Sequence, residues 1–394
     1  MRCVGTVVRG IRTPIIKEND DLANIIVNSL IDAQKYEGFN FRDRDVVAIT
    51  EAVVGISEGN YVTVDDIASD IVDKFPSKEI GIVYPILSRN RFSMILKGLA
   101  RGMNKITVLL SFPSDEVGND ILSKETLDSS KYNLSSVISE SEYEETFGDF
   151  LHPFTGINMV KFYRDLIESE NCKAEFVFSN NPKEILNYTK DVLTCDIHTR
   201  LKTKKMLQSE GANVYGLFEV MNKPINGSGF NPEYGLLGSN KSTEERLKLF
   251  PKTGSELVNN IQKSLKEKTG KTIEVMVYGD GAFKDPVGGI WELADPVVSP
   301  AYTSGLEGTP NEIKLKYISD NKFADLKGEE LKDAIKQEIK NKGKDLKGNM
   351  LSQGTTPRRI TDLIGSLCDL TSGSGDKGTP VVFIQGYFDN LSDE

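Results

Sequence analysis

The segment 275–296 combines a buried-strand pattern with an unusual density of carboxylates. An apolar run ends at Tyr278, and acidic residues interleaved with glycines follow it, namely Asp280, Asp285, Glu292 and Asp295. A carboxylate just after a strand lies where α/β folds place ligand sites. Such groups suit magnesium or manganese, which would bind phosphate oxygens in turn, and Lys284 adds a positive charge. The alternative is that Asp, Gly and Pro only build turns here.

A glycine- and serine-rich loop precedes the last apolar run, in "TSGSGDKGTPVVFIQG". Its backbone N–H groups could bind an anion, with Lys377 as a neutralising charge. The spacing differs from that of a Walker P-loop, and the loop precedes a strand rather than a helix. A flexible connector is an equally good interpretation of this loop.

The composition is ordinary for a soluble globular protein. Its 394 residues carry a net charge of −10, which argues against nucleic acid as the main partner. The four cysteines are scattered, so reduced thiols are expected rather than a zinc site or disulfides. No membrane span or signal peptide is recognisable, which predicts a cytoplasmic protein.

Apolar periodicity predicts a mixed α/β or α+β fold. Helices are expected at 20–36 and 64–75, and residues 44–57 predict one strand or two strands joined by a kink. A polar stretch at 123–149 is a candidate domain boundary. Helix and strand then alternate from about 155 to 220, as in a small parallel α/β unit.

Segments of the chain resemble the coenzyme F420-0:gamma-glutamyl ligase family. They are "GIRTPIIKENDDLANIIVNSL" followed by "RDVVAITEAVVGISEGN", then "VYGDGAF", then "SGSGDKGTPVVFIQGY", in the family's order. The resemblance implies an enzyme that joins L-glutamate to a carboxylate-bearing, phosphate-linked acceptor with GTP and Mg²⁺ or Mn²⁺. The nucleotide would phosphorylate the carboxylate, and the amine of glutamate would attack the acyl phosphate. This chemistry gathers several anions and needs cations and N–H donors.

The resemblance also implies functional positions. Asp280 and Gly281 stand at the metal-binding pair, with Asp285 and Lys284 as further candidate catalytic residues. The implied nucleotide contacts are Arg12, Thr13, Pro14, Ile15, Thr50, Glu51, Asn90, Gly373, Ser374, Gly375, Asp376, Lys377, Gly378 and Thr379.

The chain departs from the family pattern at two positions. Ile56 replaces a lysine, and Leu87 replaces a second metal-binding aspartate, for which Asp285 is the candidate substitute. A nucleotide- or metabolite-binding protein without ligase activity therefore stays an alternative, and a phosphohydrolase is a weaker one.

The family's central motifs are closer in sequence than Asn90 and Asp280 are here. This spacing suggests a ligase-like core at 1–125 and 266–394, with an inserted α/β unit at 126–265 as a possible substrate cap. A homodimer is expected from the resemblance.

Overall fold

The computed structural model describes residues 3–281, 296–352, 358–372 and 375–393. These residues form helices and both parallel and antiparallel strands, which confirms the predicted mixed α/β class. The strands are β1 (Val7–Ile11), β2 (Val46–Thr50), β3 (Tyr61–Thr63), β4 (Glu79–Val83), β5 (Lys105–Leu110), β6 (Ile138–Ser139), β7 (Lys173–Phe178), β8 (Asp191–Thr194), β9 (Asn213–Gly216), β10 (Asn240–Thr243), β11 (Arg246–Lys248), β12 (Glu274–Tyr278), β13 (Ala301–Tyr302) and β14 (Val381–Gln385). The α-helices are α1 (Leu22–Glu37), α2 (Glu51–Ser57), α3 (Val64–Lys74), α4 (Phe92–Gly102), α5 (Lys124–Ser129), α6 (Glu140–Phe147), α7 (Met159–Ser169), α8 (Arg200–Ser209), α9 (Gly254–Thr269), α10 (Leu315–Asn321), α11 (Gly328–Asn341) and α12 (Ile360–Thr371).

A five-stranded sheet joins the two ends of the chain. Its order is β1-β14-β2-β12-β13, and only β2 and β12 run parallel. Alternate residues of each strand enter opposite cores, as the period of two requires. Val47, Val275 and Phe383 pack with α1 and α9. On the other face Ala48, Met276 and Val382 pack with α12.

A second sheet has the order β6-β7-β5-β4-β8-β9, in which every strand except β6 is parallel. The chain leaves β4 toward β5 and leaves β8 toward β9, so the connections diverge between β4 and β8. Helices α3, α4 and α7 cover one face, and α8 covers the other. This is the predicted parallel α/β unit.

The α/β unit extends beyond the predicted segment 126–265. Strands β4 and β5 precede residue 126 and share the sheet with β7 to β9. The apolar cluster of the unit includes residues from Val62 to Leu249. Its N-terminal part belongs to the cluster because α3 packs on α4. The polar stretch 123–149 contributes α5, β6 and α6, and its Tyr143 and Phe147 are buried in the same cluster. That stretch therefore lies within the unit and does not separate two units.

The prediction for residues 44–57 is half wrong. Strand β2 ends at Thr50, and the following residues form α2 rather than a second strand. Thr50 is extended and begins the helix, with Glu51 in its first turn, where an acidic side chain is favourable. The apolar residues Val53, Val54 and Ile56 fit helical as well as strand spacing.

Two smaller elements complete the fold. A three-stranded sheet of order β10-β11-β3 lies between the larger units. Helices α10 and α11 share a separate apolar cluster around Ile318 and Ile339. No helix among the described residues is long and apolar enough to cross a membrane.

Candidate active site

The parallel pair β2 and β12 brings two distant segments of the chain side by side. Thr50 is aligned with Tyr278, so the residues that follow each strand meet at one edge of the sheet. Glu51 and Asp280 both line a cavity of about 520 Å³ at this edge, which we call the core cavity. Asn90, from the loop after β4, lines it as well. Four of the predicted site residues are thus brought together: Thr50, Glu51, Asn90 and Asp280.

The wall opposite the sheet edge comes from the β10–β11 hairpin. Asn240, Lys241 and Ser242 face the cavity. The backbone N–H of Lys241 donates to the carbonyl of Asn90 at 2.7 Å, which fixes the hairpin against the loop after β4. The α/β unit and the small sheet therefore both contribute to a cavity whose floor is the five-stranded sheet.

Two acidic residues of the cavity are paired with bases from other elements. Glu51 accepts a hydrogen bond from Lys248 of β11 at 2.7 Å, and each side chain is only 7% exposed. Asp280 forms an ion pair with Arg91, the residue just before α4. That second pair is more accessible, at 31% exposure for Asp280 and 18% for Arg91. The cavity thus holds these two carboxylates in ion pairs with cations that come from other elements of the fold.

Tyr278 adds a buried hydroxyl to the cavity. Its ring is 1% exposed, and burial raises the pKa of the phenol above its usual range, while the nearby Ser372 hydroxyl acts to lower it. Among the described residues Tyr278 Oη has no hydrogen-bond partner of normal geometry. A buried polar group without a partner is costly, so a ligand or water that reaches it would be stabilised.

The loop that carries Asn90 and Arg91 is held by buried groups of the α/β unit. Asp115 accepts the N–H of Leu87 at 2.9 Å. The hydroxyl of Tyr163 accepts the N–H of Ser88 at 2.8 Å and donates to the carbonyl of Ile86 at 2.7 Å. Burial raises the pKa of Asp115 to about 6. These bonds preorganise the loop.

Comparison with known protein families assigns the chain. The sequence profile of the F420-0:gamma-glutamyl ligase family matches residues 10–386, nearly the whole chain. The chain belongs to this family. Membership makes it an enzyme of the ligase class. A comparison with curated proteins finds no significant match.

The metal expected from the family resemblance can be tested against the described carboxylates. Asp280 and Asp369 both line the core cavity, and Asp369 accepts the N–H of Gly281 at 3.1 Å. Within the described ranges no group of three acidic, histidine or cysteine side chains is arranged to hold a metal. Magnesium commonly takes one or two carboxylates and completes its shell with phosphates and water. The described residues fit that arrangement and do not fit a metal held by protein ligands alone.

The other predicted site residues of this family member divide into three groups. Arg12, Thr13, Pro14, Lys377 and Thr379 line a second, open cleft of about 1010 Å³ beside β1 and α1, which we call the β1 cleft. Ile15, Gly375, Asp376 and Gly378 lie near it, are exposed and do not line it. Lys284, Asp285, Gly373 and Ser374 lie outside the described residues.

The two cavities meet at the loop before β14. Thr371 lines the β1 cleft and Ser372 lines the core cavity. Ser372 Oγ donates to Thr379 Oγ1 at 3.1 Å, and the N–H of Thr13 donates to the carbonyl of Gly378 at 3.4 Å. The predicted nucleotide residues therefore line both the β1 cleft and the core cavity, which meet at Thr371 and Ser372.

The cavity residues that sequence reasoning missed include Arg91, Lys248, Tyr278, Asp369 and Ser372. Lys248 carried a weak signal, because it interrupts the apolar "LKLF" run of β11 and its neighbours. Arg91 lies next to the predicted Asn90, but nothing in "LSRNR" separates it from Arg89. Asp369 lies at the end of a helix and has no distinguishing motif.

Proposed function

We propose that this chain is a nucleotide- and divalent-metal-dependent amide ligase that adds L-glutamate to a carboxylate-bearing acceptor, with F420-0 as the first candidate. The family match supports the reaction class. The observation that carries the proposal is the convergence of Thr50, Glu51, Asn90 and Asp280 in one cavity lined with cations.

The proposed reaction has two steps. A carboxylate oxygen of the acceptor attacks the γ-phosphorus, a new O–P bond forms, and the bond to the β-phosphate breaks to release the nucleoside diphosphate. The amine of glutamate then attacks the acyl carbon, a C–N bond forms, and the C–O bond breaks to release inorganic phosphate. The amine loses protons as it attacks, and Asp280 and Asp369 are described carboxylates of the cavity that can accept one.

The cavity's charges suit the first step. Negative charge accumulates on phosphoryl oxygens, and preorganised cations and N–H donors stabilise it. Lys241 and Lys248 supply positive charge, while Thr50 and Asn90 supply hydrogen-bonding groups. Asp280 and Asp369 are the described candidates for holding Mg²⁺ or Mn²⁺, which when bound would neutralise phosphate charge.

We place the phosphates in the core cavity and the base and ribose in the β1 cleft. Thr371 and Thr379 line the β1 cleft and Ser372 lines the core cavity, so a nucleotide lying across these residues would contact Arg12 and Lys377 on one side and Thr50 on the other. Tyr36 is 77% exposed beside this cleft and offers a ring for stacking.

The test is a reaction with F420-0, L-glutamate, GTP and Mg²⁺ or Mn²⁺, followed by mass spectrometry of the acceptor and by phosphate release. We expect a product one glutamate heavier, which disappears when nucleotide, metal or glutamate is left out. Replacing GTP with ATP determines the preferred nucleotide. If no nucleotide binds under any metal condition, the proposal is wrong.

A binding protein without turnover is the second candidate. Leu87 is buried where the resemblance places a metal-binding aspartate, and Ile56 lines the cavity where it places a lysine. This candidate predicts that GTP raises the melting temperature while no product forms. The cytoplasmic location remains a prediction from the sequence, and the homodimer remains a prediction from the resemblance. Light scattering after size exclusion tests the dimer.

A further inference from the structure

A small notch opens beside Arg91 at the carboxyl edge of the parallel sheet. It has a volume of about 30 Å³ and is lined mainly by apolar side chains. Ile86 follows β4, Ile197 follows β8, and Leu217 follows β9. This is the edge at which the connections of the sheet diverge, and open α/β sheets bind ligands in that position.

Arg91 connects the notch to the core cavity, because it lines both. Its ion pair with Asp280 is partly exposed, and such pairs contribute little net stability. A guanidinium keeps its charge and binds a carboxylate with two parallel hydrogen bonds. Because a guanidinium carries five N–H donors, Arg91 can bind the carboxylate of a ligand beside Asp280.

Ser239 places a buried hydroxyl in the otherwise mainly apolar notch. It lines the notch and is 1% exposed, and its hydroxyl has no hydrogen-bond partner among the described residues. An unpaired hydroxyl in an apolar recess is costly unless a ligand atom or a water reaches it. The volume is enough for a group of one or two heavy atoms.

We propose that Arg91 and this notch bind the acceptor end of the substrate: Arg91 binds the acceptor's carboxylate, and the notch takes a short substituent on the neighbouring carbon. This inference rests on the proposed ligase function for the identity of the acceptor. The loop 86–91 is rigid enough to select by size, because Asp115 and Tyr163 fix its backbone. Larger substituents would collide with Ile197 or Leu217.

The first experiment measures carboxylate binding directly, so that it does not depend on turnover. Acetate, propionate and pivalate are titrated into the full chain and followed by ligand-observed NMR. Propionate should bind about fourfold more tightly than acetate, because its methyl group is buried. Pivalate should bind more weakly than propionate, because its three methyl groups exceed the notch. Affinity that simply rises with size would overturn the proposal.

Variants locate the site. Arg91→Ala should weaken propionate binding at least tenfold, and Arg91→Lys should weaken it less. Arg89→Ala is the matched control on the same loop, since Arg89 is exposed and lines neither space, and it should change binding less than twofold. Equal effects of R91A and R89A would contradict the role of Arg91.

Ser239→Val fills the notch and should remove the preference for propionate over acetate, while Ser239→Ala should keep it. If S239V disrupts folding, S239A combined with the three carboxylates still tests the size limit. Unchanged selectivity in folded S239V would show that the notch is only a water-filled void.

The reaction with F420-0 separates the two proposals. If the wild-type chain makes product, R91A should raise the KM for the acceptor at least tenfold and leave the KM for GTP within twofold. Product formation with an unchanged acceptor KM in R91A overturns the acceptor site alone. Carboxylate binding at Arg91 without any product overturns the ligase function alone.

Discussion

The core cavity and the β1 cleft differ in how their charges are held. In the core cavity, Glu51 and Asp280 are each paired with a base from another element. In the β1 cleft, Arg12 and Lys377 are solvent-exposed, and the more enclosed Arg9 is hydrogen-bonded to Gln385 at 2.7 Å. Paired, partly buried charges stay in place during a reaction, whereas exposed charges attract an anion and are screened by salt. This difference matches the proposed function, in which the core cavity carries out the chemistry and the β1 cleft binds part of the nucleotide.

The largest effect is expected from the buried ion pair of Glu51 and Lys248 in the core cavity. Lys248→Met removes the ammonium that neutralises the buried Glu51 carboxylate, which should cost about 3–5 kcal/mol of unfolding free energy. Urea denaturation measures it. The double variant E51Q/K248M should recover a large part of the loss. Lys271→Met breaks an exposed pair with Asp43 and should cost less than about 1 kcal/mol. Equal losses in K248M and K271M would mean that the Glu51 pair is not specially enclosed.

Asp280 tests whether the chemistry belongs to the core cavity. Asp280→Asn should lower the rate of product formation by about 10²–10³, the usual effect of removing one group that stabilises or transfers charge. The folded state should be retained, because Asp280 is partly exposed. Asp320→Asn, on an exposed face of α10, is the matched control and should leave the rate unchanged. If D280N forms product at the wild-type rate, the reaction does not depend on Asp280 and its assignment to the core cavity is wrong.

Asp115, which holds the loop 86–91, should make the unfolding free energy depend on pH. Its pKa is raised by burial from 3.8 to about 6, so the folded chain binds this proton more tightly than the unfolded chain. Its contribution to stability is therefore present at low pH and is lost as the pH rises from about 4 to about 6. The loss is on the order of 3 kcal/mol. The unfolding free energy of D115N, measured across this range, should lack that component. Parallel pH curves for D115N and wild type would refute the raised pKa.

The smallest effects are expected in the β1 cleft. Arg12→Ala and Lys377→Ala remove exposed charges worth about 1 kcal/mol each. Each should raise the KM for the nucleotide about fivefold, more at low salt than at high salt, and leave kcat within about twofold. Steady-state kinetics at two ionic strengths measure this. If kcat fell as much in these variants as in D280N, the β1 cleft would take part in the chemical step, and the proposed difference between the two spaces would be wrong.

The family resemblance named Thr50 and Asp280 as site residues, but their proximity could not be read from the sequence. They lie at one edge of the sheet because β2 and β12 run parallel, and no local pattern predicted that pairing. The start of the α/β unit could not be predicted, because "EIGIV" is a short apolar run and its partner strands are distant in sequence. The helix α2 was mistaken for a strand, since Val53, Val54 and Ile56 fit both periods.

The basic partners of Glu51 and Asp280 could not be predicted from the sequence, for a different reason. Lys248 reaches Glu51 only because β11 pairs with β3, and the two strands are far apart in the chain. Arg91 reaches Asp280 only because the α/β unit packs against the edge of the five-stranded sheet. No local spacing encodes either contact.

Transfer of oxygen from the acceptor tests the central claim most directly. F420-0 labelled with ¹⁸O in its acceptor carboxylate is incubated with the chain, GTP, metal and L-glutamate, and the released phosphate is analysed by mass spectrometry. With both carboxylate oxygens labelled, ligation through an acyl phosphate in the core cavity predicts one ¹⁸O in each phosphate released by the wild-type chain. It also predicts a rate about 10²–10³ lower in D280N. Released phosphate without ¹⁸O, or label transfer at the wild-type rate in D280N, would contradict the account.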